Sequence, residues 1–353
     1  MNAEKRHVVV APLNWGLGHA TRSMPIIREL LKQGHRVTVA SDGLALKLLQ
    51  SEFPSLDFWE LPGYGVHYQK PVLLSLTRQI PDIQRIIRQE HLKILDRLKA
   101  SHANVIISDN RYGVWHPDIP SILITHQIQL PIGRRMTKFM NPWLGRYLNP
   151  FREIWVPDFA PPDHLTGYMT ETRDSRVVRI GPLTRFTQHD LEENIDLLVL
   201  ISGPEPARTR WETHILQEAA RLPYQQMVLL RGLPGEASRL QHSNERLTIH
   251  NHLPAQALNT LIGKSRAIIC RAGYSTIMDL MIMGKSAIMV PTPGQPEQEY
   301  LARRLDNKHL AVVRYTELFD IQQAVLALKH CNPWPRGSFV SWHERFNSLI
   351  QEK

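Results

Sequence analysis

Residues Ile268–Ala302 read IICRAGYSTIMDLMIMGKSAIMVPTPGQPEQEYLA, and this stretch decides the fold. Ile268, Ile269 and Cys270 form a short apolar run of the kind a buried parallel strand shows. Arg271, Ala272 and Gly273 break it. Thr276 to Asp279 matches a capping box, and Ile277, Leu280, Met281 and Met283 then make a helical apolar face. Gly284 stands where a left-handed C-cap belongs. Ala287 to Val290 is a second apolar strand, closed by Pro291. A glycine turn between a strand's carboxyl end and a helix places backbone N–H groups and a positive dipole end where a phosphate can sit. The stretch therefore predicts a nucleotide or phosphate site.

The rest of the chain repeats this grammar. Val8 to Pro12 is a strand that ends in Asn14-Trp15-Gly16-Leu17-Gly18-His19. A helix follows to about Lys32, Gly34 stops it, and Arg36 to Ala40 returns as a strand, which makes a βαβ unit. Its turn is not the dinucleotide fingerprint G-x-G-x-x-G, because Thr21 stands at the third glycine, so NAD and FAD are rejected. Residues 78 to 99 carry Ile80, Ile83, Ile86, Ile87, Ile94, Leu95 and Leu98 at helical spacing, as a helix packed on a sheet would. Val105 to Ser108 is a strand ending in Asp109, and Ser121 to Thr125 is another ending in His126-Gln127. Ligands of open α/β sheets sit beyond strand carboxyl ends, where His19, Asp109 and His126 all fall. Ile154 to Pro157 reads as the last strand of the first half.

Glycine and proline in Ile180 to Phe186 mark a hinge, and the pattern then restarts. Asp196 to Ser202 is a strand, Gly203-Pro204-Glu205-Pro206-Ala207 a turn, and about Thr209 to Arg221 a helix. Met227 to Leu230 and Leu247 to His250 are further strands. Two βα-repeating halves, each with a glycine turn after its first strand, predict an α/β protein of two Rossmann-like doubly wound domains facing across a cleft. The boundaries expected are 1–184 and 185–353, with the final helices free to pack back on the first domain.

A length of 353 residues suits two cores better than one. The two cysteines, Cys270 and Cys331, exclude a disulfide framework and fit a reducing compartment. No run reaches the roughly 18 apolar residues that span a bilayer, and the start reads as a first strand, not a secretion signal. Lys plus Arg outnumber Asp plus Glu by 42 to 33, and a net charge of +9 attracts polyanions without choosing among them. Ile132 to Trp155 interleaves Arg134, Arg135, Lys138, Arg146 and Arg152 with Phe139, Trp143, Tyr147 and Phe151. That mixture suits a membrane interface or an anionic acceptor, and equally a helix pair with snorkelling cations. No nucleic-acid-binding module is recognisable.

The second half resembles the family 28 glycosyltransferases of the GT-B fold, especially the peptidoglycan N-acetylglucosaminyltransferases. The pattern C-R-x-G-x-x-T-x-x-[ED], a glycine stop, a strand ending in proline and then Q-x-Y falls on Cys270, Arg271, Gly273, Thr276, Asp279, Gly284, Pro291, Gln298 and Tyr300. In the first half, Gly16, Gly18 and His19 match the family's glycine-rich turn ending in G-H. The resemblance implies an inverting, metal-independent hexosyltransferase without a cofactor. Its donor would be UDP-N-acetylglucosamine or another UDP-hexose, and its acceptor lipid-linked or glycan. Such an enzyme would be cytoplasmic, peripheral on the inner membrane face, and no binder of nucleic acid. The donor would lie on Gly203, Pro204, Glu205, Leu253, Arg271, Gly273, Ser275, Thr276, Asp279, Gln298 and Glu299, and the acceptor beside Gly16, Gly18, His126 and Gln127.

Inverting transfer needs a base for the acceptor hydroxyl and a stabilised leaving diphosphate. His19 is the candidate base, or else a cap of its helix; Asp109 orients it or takes its place. Asp279 would hold the ribose where the family has Glu, or is only the capping-box carboxylate at the third helical position. Glu299 replaces the second of the family's paired glutamines, and a carboxylate cannot donate a hydrogen bond. The segment G-x-G-H-x-x-R (Gly16, Gly18, His19, Arg22) also resembles the UDP-sugar hydrolase of the pseudaminic acid pathway. A non-catalytic nucleotide-sugar-binding protein is the third reading.

Overall fold

The computed structural model describes residues 5–65, 72–131, 144–233 and 245–351. The first half of the basic and aromatic segment expected to meet a membrane or acceptor, residues 132–143, lies outside them. The chain divides into two compact units, Met1–Leu183 with Arg336–Lys353, and Thr184–Pro335.

The first unit is a parallel seven-stranded sheet in the order β3-β2-β1-β4-β5-β6-β7. Its strands are β1 (His7–Pro12), β2 (Arg36–Ser41), β3 (Asp57–Glu60), β4 (Val105–Asp109), β5 (Ser121–Ile124), β6 (Glu153–Val156) and β7 (Val177–Arg179). Val8, Val9 and Val10 are fully buried because β1 lies mid-sheet with helices on both faces, which is why its sequence runs apolar without alternation. Helix α1 (Gly18–Lys32) carries β1 to β2, α2 (Gly43–Glu52) follows β2, and α3 (Val72–Lys99) precedes β4. Ile87, Ile94 and Leu98 of α3 are buried, the helical face that the isoleucine spacing predicted. The expectation that the strand at 154–157 ends the half is corrected. The three-residue β7 adds an edge strand beside β6, in register from Ile154 with Val177.

The second unit repeats the scheme with six parallel strands in the order β10-β9-β8-β11-β12-β13. They are β8 (Ile195–Leu200), β9 (Met227–Leu230), β10 (Leu247–His250), β11 (Ser265–Cys270), β12 (Ile288–Met289) and β13 (Val312–Val313). Helices α4 (Ala207–Ala219), α5 (Ala255–Lys264), α6 (Tyr274–Met283), α7 (Pro296–Asn307) and α8 (Ile321–Ala327) connect them. Gly284 ends α6 with φ +67°, a left-handed turn that a Cβ would strain. The carboxyl-terminal helix α9 (Trp342–Gln351) belongs to the first unit. Its Phe346 and Leu349 are buried in the same core as Val8, Ile27 and Trp155, and its Arg345 donates to Glu153 of β6 at 2.8 Å.

In each sheet the strand order reverses once, at β1/β4 and at β8/β11, and a ligand site belongs beyond the carboxyl ends of those strands.

Candidate active site

In the first unit, β1 and β4 pair with Pro12 opposite Asp109. Past Pro12 the chain turns through Gly16 at φ +71° and starts α1 at Gly18. No side chain caps that start, so His19 is not a helix cap. His19 Nδ1 instead lies 2.8 Å from Asp109 Oδ1. One turn along the same helix face comes Arg22, 2% exposed. Its Nε donates to Asp109 Oδ2 at 2.6 Å, its Nη2 to Asp109 Oδ1, and its Nη1 to His126 Nδ1 at 2.9 Å. Arg22 thus joins Asp109 at the end of β4 to His126 beyond β5, and the His19 and His126 ring centroids stand 6.3 Å apart.

This network fixes protons. Burial alone would push the Asp109 carboxyl up, but the Arg22 guanidinium and the His19 bond hold it below the usual carboxylate range. An ionised Asp109 accepts from Nδ1–H of His19, which leaves Nε2 with the free lone pair. Arg22 Nη2 also lies 2.8 Å from the same Nδ1, and the ionised carboxylate is the stronger acceptor for the donors around it. His126 accepts on Nδ1, so its Nε2 carries a proton and is a donor. Gln127 follows in a turn where its N–H donates to Thr125 Oγ1 at 3.1 Å.

Burial first, and then the Arg22 charge, lower the His19 pKa from its ordinary 6.5 against the pull of Asp109. His19 is therefore neutral and basic at neutral pH. If it is the base, the acid limb of kcat/KM lies below pH 6.5. A pH–rate profile with that limb centred above this value would remove His19 from the role.

A second buried cluster holds the surrounding loops. Arg111, with no exposed surface, donates to Glu90 Oε1 at 2.6 Å, to Asp42, and to the Pro12 carbonyl at 3.0 Å. Asn14 Nδ2 donates to Asp42 Oδ2 at 3.0 Å. The loops after β1, β2 and β4 are thereby tied into one rim.

In the second unit the loops after β8, β11 and β12 share one edge of the sheet. Gly203 has φ +113°, closed to L side chains. Gly273, at the end of β11, is the N-cap of α6. The first turn of a helix has N–H groups without helical acceptors, and with Ser275 and Thr276 partly exposed it forms a seat for an anion. Leu253 lies partly buried in the loop between β10 and α5.

One expectation is corrected here, and the side chains expected on the donor have partners within the protein. The capping box fails because α6 starts two residues before Thr276, at Tyr274, with no side-chain cap bond. Asp279 sits mid-helix, accepts from Thr184 Oγ1 at 2.5 Å, and is pushed up to about 6 by burial. Arg271, expected on the donor, is buried and engaged within the protein. Its guanidinium lies 3.8 Å from the Trp211 ring centroid, donates to Glu317 Oε1 at 2.5 Å and reaches the Val290 carbonyl at 3.3 Å. Glu205 is tied to the start of α4, accepting from Arg208 Nε at 2.6 Å and from the Thr209 N–H at 3.2 Å. Gln298 and Glu299 fasten the loop before them, accepting from the N–H groups of Thr292 and Gly294, each at 2.8 Å.

Arg22 was absent from the site expected from sequence, although the quoted G-x-G-H-x-x-R contained it. The comparisons with known proteins agree with this architecture. Residues 213–333 match the glycosyltransferase family 28 C-terminal domain. An uncharacterised glycosyltransferase of Methanopyrus kandleri is 22% identical over 335 residues, covering 88% of this chain and 93% of that protein. The UDP-N-acetylglucosamine–N-acetylmuramyl-(pentapeptide) pyrophosphoryl-undecaprenol N-acetylglucosamine transferase of Methylobacterium nodulans is 22% identical over 315 residues, covering 81% and 77%. Among solved structures, the glycotransferase of kitacinnamycin superposes with a TM-score of 0.65 at 16% identity, covering 99% of this chain and 94% of that one. The fold is GT-B, with two Rossmann-like α/β domains.

Proposed function

We propose that the chain, a glycosyltransferase of GT-B fold whose second unit carries a family 28 C-terminal domain, transfers a hexose with inversion from a UDP-sugar to a hydroxyl of a lipid-linked or glycan acceptor. The observation that carries this is His19, held neutral, with Nδ1–H donated to a charge-compensated Asp109. Its Nε2 takes the acceptor proton as the acceptor oxygen attacks the anomeric carbon. The bond from that carbon to the diphosphate oxygen breaks on the opposite face, and the electron pair leaves with the diphosphate. The N-terminus of α6 and the turn at Gly203 in the second unit receive that charge, so the step needs no metal. His126 Nε2–H and Gln127 orient the acceptor.

The name of the Methylobacterium nodulans relative supports N-acetylglucosamine as the sugar and a polyprenyl diphosphate saccharide as the acceptor. No helix among the described residues is long and apolar enough to cross a membrane, and the net charge of +9 suits peripheral attachment to an anionic lipid surface.

UDP release from UDP-N-acetylglucosamine, followed with and without polyprenyl-diphosphate-linked saccharides, tests the reading. Release should depend on the acceptor, with a mass gain of one hexosamine on it. Free sugar appearing at the same rate without acceptor would make the protein a hydrolase instead.

A further inference from the structure

The turn Thr292–Gln295 follows β12 at the same sheet edge as Gly203 and Gly273, and it carries two side-chain oxygens that the fold leaves unused. Thr292 is 5% exposed, and its Oγ1 has no hydrogen-bond partner among the described residues; the same holds for the buried Oε1 of Gln295. Native proteins pair nearly all such atoms, because an unpaired buried polar group forfeits the hydrogen bonds water gave it. Two on one turn call for a partner from outside the chain.

The neighbourhood says which partner. Thr292 Oγ1 stands 3.6 Å from where a Cβ on Gly203 would be, so it lies against the turn that receives the diphosphate. The turn itself is rigidly placed, since Gln298 and Glu299 spend their carbonyl and carboxylate oxygens on its N–H groups. Those are the two positions at which a sugar-reading pair was expected, and each spends one oxygen on holding this turn in place beside them.

We propose that Thr292 and Gln295 are donor-recognition residues of the second unit, an assignment that rests on the nucleotide-sugar reading above. The Gly203 turn shifts off Thr292 as the diphosphate enters, and the hydroxyl donates to a phosphate oxygen. Gln295 Oε1 accepts from a hydroxyl of the transferred sugar.

The test uses the full chain, with UDP and UDP-N-acetylglucosamine as calorimetric probes and Thr292→Val and Gln295→Met as variants. Thr292→Val removes a hydroxyl that is unpaired in the free protein, so its melting temperature without ligand should equal or exceed that of the parent. Its affinity for both probes should fall about ten-fold, the scale of one hydrogen bond to a charged group. Gln295→Met should bind UDP as the parent does and UDP-N-acetylglucosamine about ten-fold more weakly. A Thr292→Val protein that binds UDP as tightly as the parent, or that loses stability without ligand, overturns the assignment of Thr292. A Gln295→Met protein that binds both probes as the parent does overturns that of Gln295. A parent chain that binds none of UDP, GDP and TDP would bring down the donor reading itself.

Discussion

Replacing His19 with alanine is expected to lower kcat by about 10²–10⁴-fold and to leave UDP affinity unchanged. The drop corresponds to about 3–5 kcal/mol of barrier, and it follows from what the ring does. In the first unit it is the group with a lone pair held basic by a buried carboxylate, through Nδ1 at 2.8 Å from Asp109. Alanine leaves Arg22 and Asp109 paired and the helix start uncapped as before, so folding should survive, and the proposed donor contacts belong to the second unit. The stricter variant is Asp109→Asn. An asparagine can turn its NH₂ toward Nδ1, which would put the histidine proton on Nε2 and remove the base while keeping its position. A comparable loss is expected, with unchanged UDP binding. Single-turnover rates with UDP-N-acetylglucosamine check both. A His19→Ala protein near the parental rate would shift the base to another group, and normal UDP affinity in that protein would show that the donor site is sound.

The parts of the fold that were legible in the sequence are those where local physics and tertiary demand agree. The apolar run at Ile268 to Cys270 could only be buried on both faces, and β11 pairs on both edges, with β8 and β12. Gly284 follows the last apolar residue of its helix and adopts the left-handed conformation its position predicted. His19 and Asp109 were legible as a pair because both fall at strand carboxyl ends of one sheet. What the sequence hid was every role decided by a partner far along the chain. Arg22, as a cation on a helix, reads like any solvated arginine; only its bonds to Asp109 and His126, 87 and 104 residues away, show otherwise. Arg271 sits inside a recognisable motif, yet Trp211 and Glu317 absorb its charge and its flat face. Asp279 was misread for a local reason. Ser275, Thr276 and the preceding glycine all make plausible helix starts, and choosing the wrong one moved the carboxylate from mid-helix to a capping position. β7 has only three residues at a sheet edge, too few for any period to register.

Arg22→Met should be strongly destabilising, at about 3–5 kcal/mol. Methionine matches the length of the arginine stem, so little packing is lost. What remains is Asp109, 0% exposed, with its charge uncompensated and one oxygen without its donor. A buried carboxylate stripped of its cation shifts toward the protonated form, and this gives the variant a signature that simple loss of packing lacks. In the parent, Asp109 titrates below its ordinary 3.8, so it contributes stability above that pH that is lost as acid is added. In Arg22→Met the folded pKa rises toward or past the unfolded value, and that acid sensitivity should shrink. His19 should move as well. Arg22 is a cause that lowers its pKa and Asp109 a cause that raises it, so deleting the cation shifts the acid limb of the rate upward. Arg22→Lys separates charge from geometry. An ammonium can neutralise Asp109 but cannot hold both of its oxygens and His126 Nδ1 at once. Stability should then recover further than rate. Denaturation curves and pH–rate profiles of the two variants check this. An Arg22→Met protein with parental stability and an unmoved acid limb would show that the guanidinium neither holds the carboxylate ionised nor tunes the base.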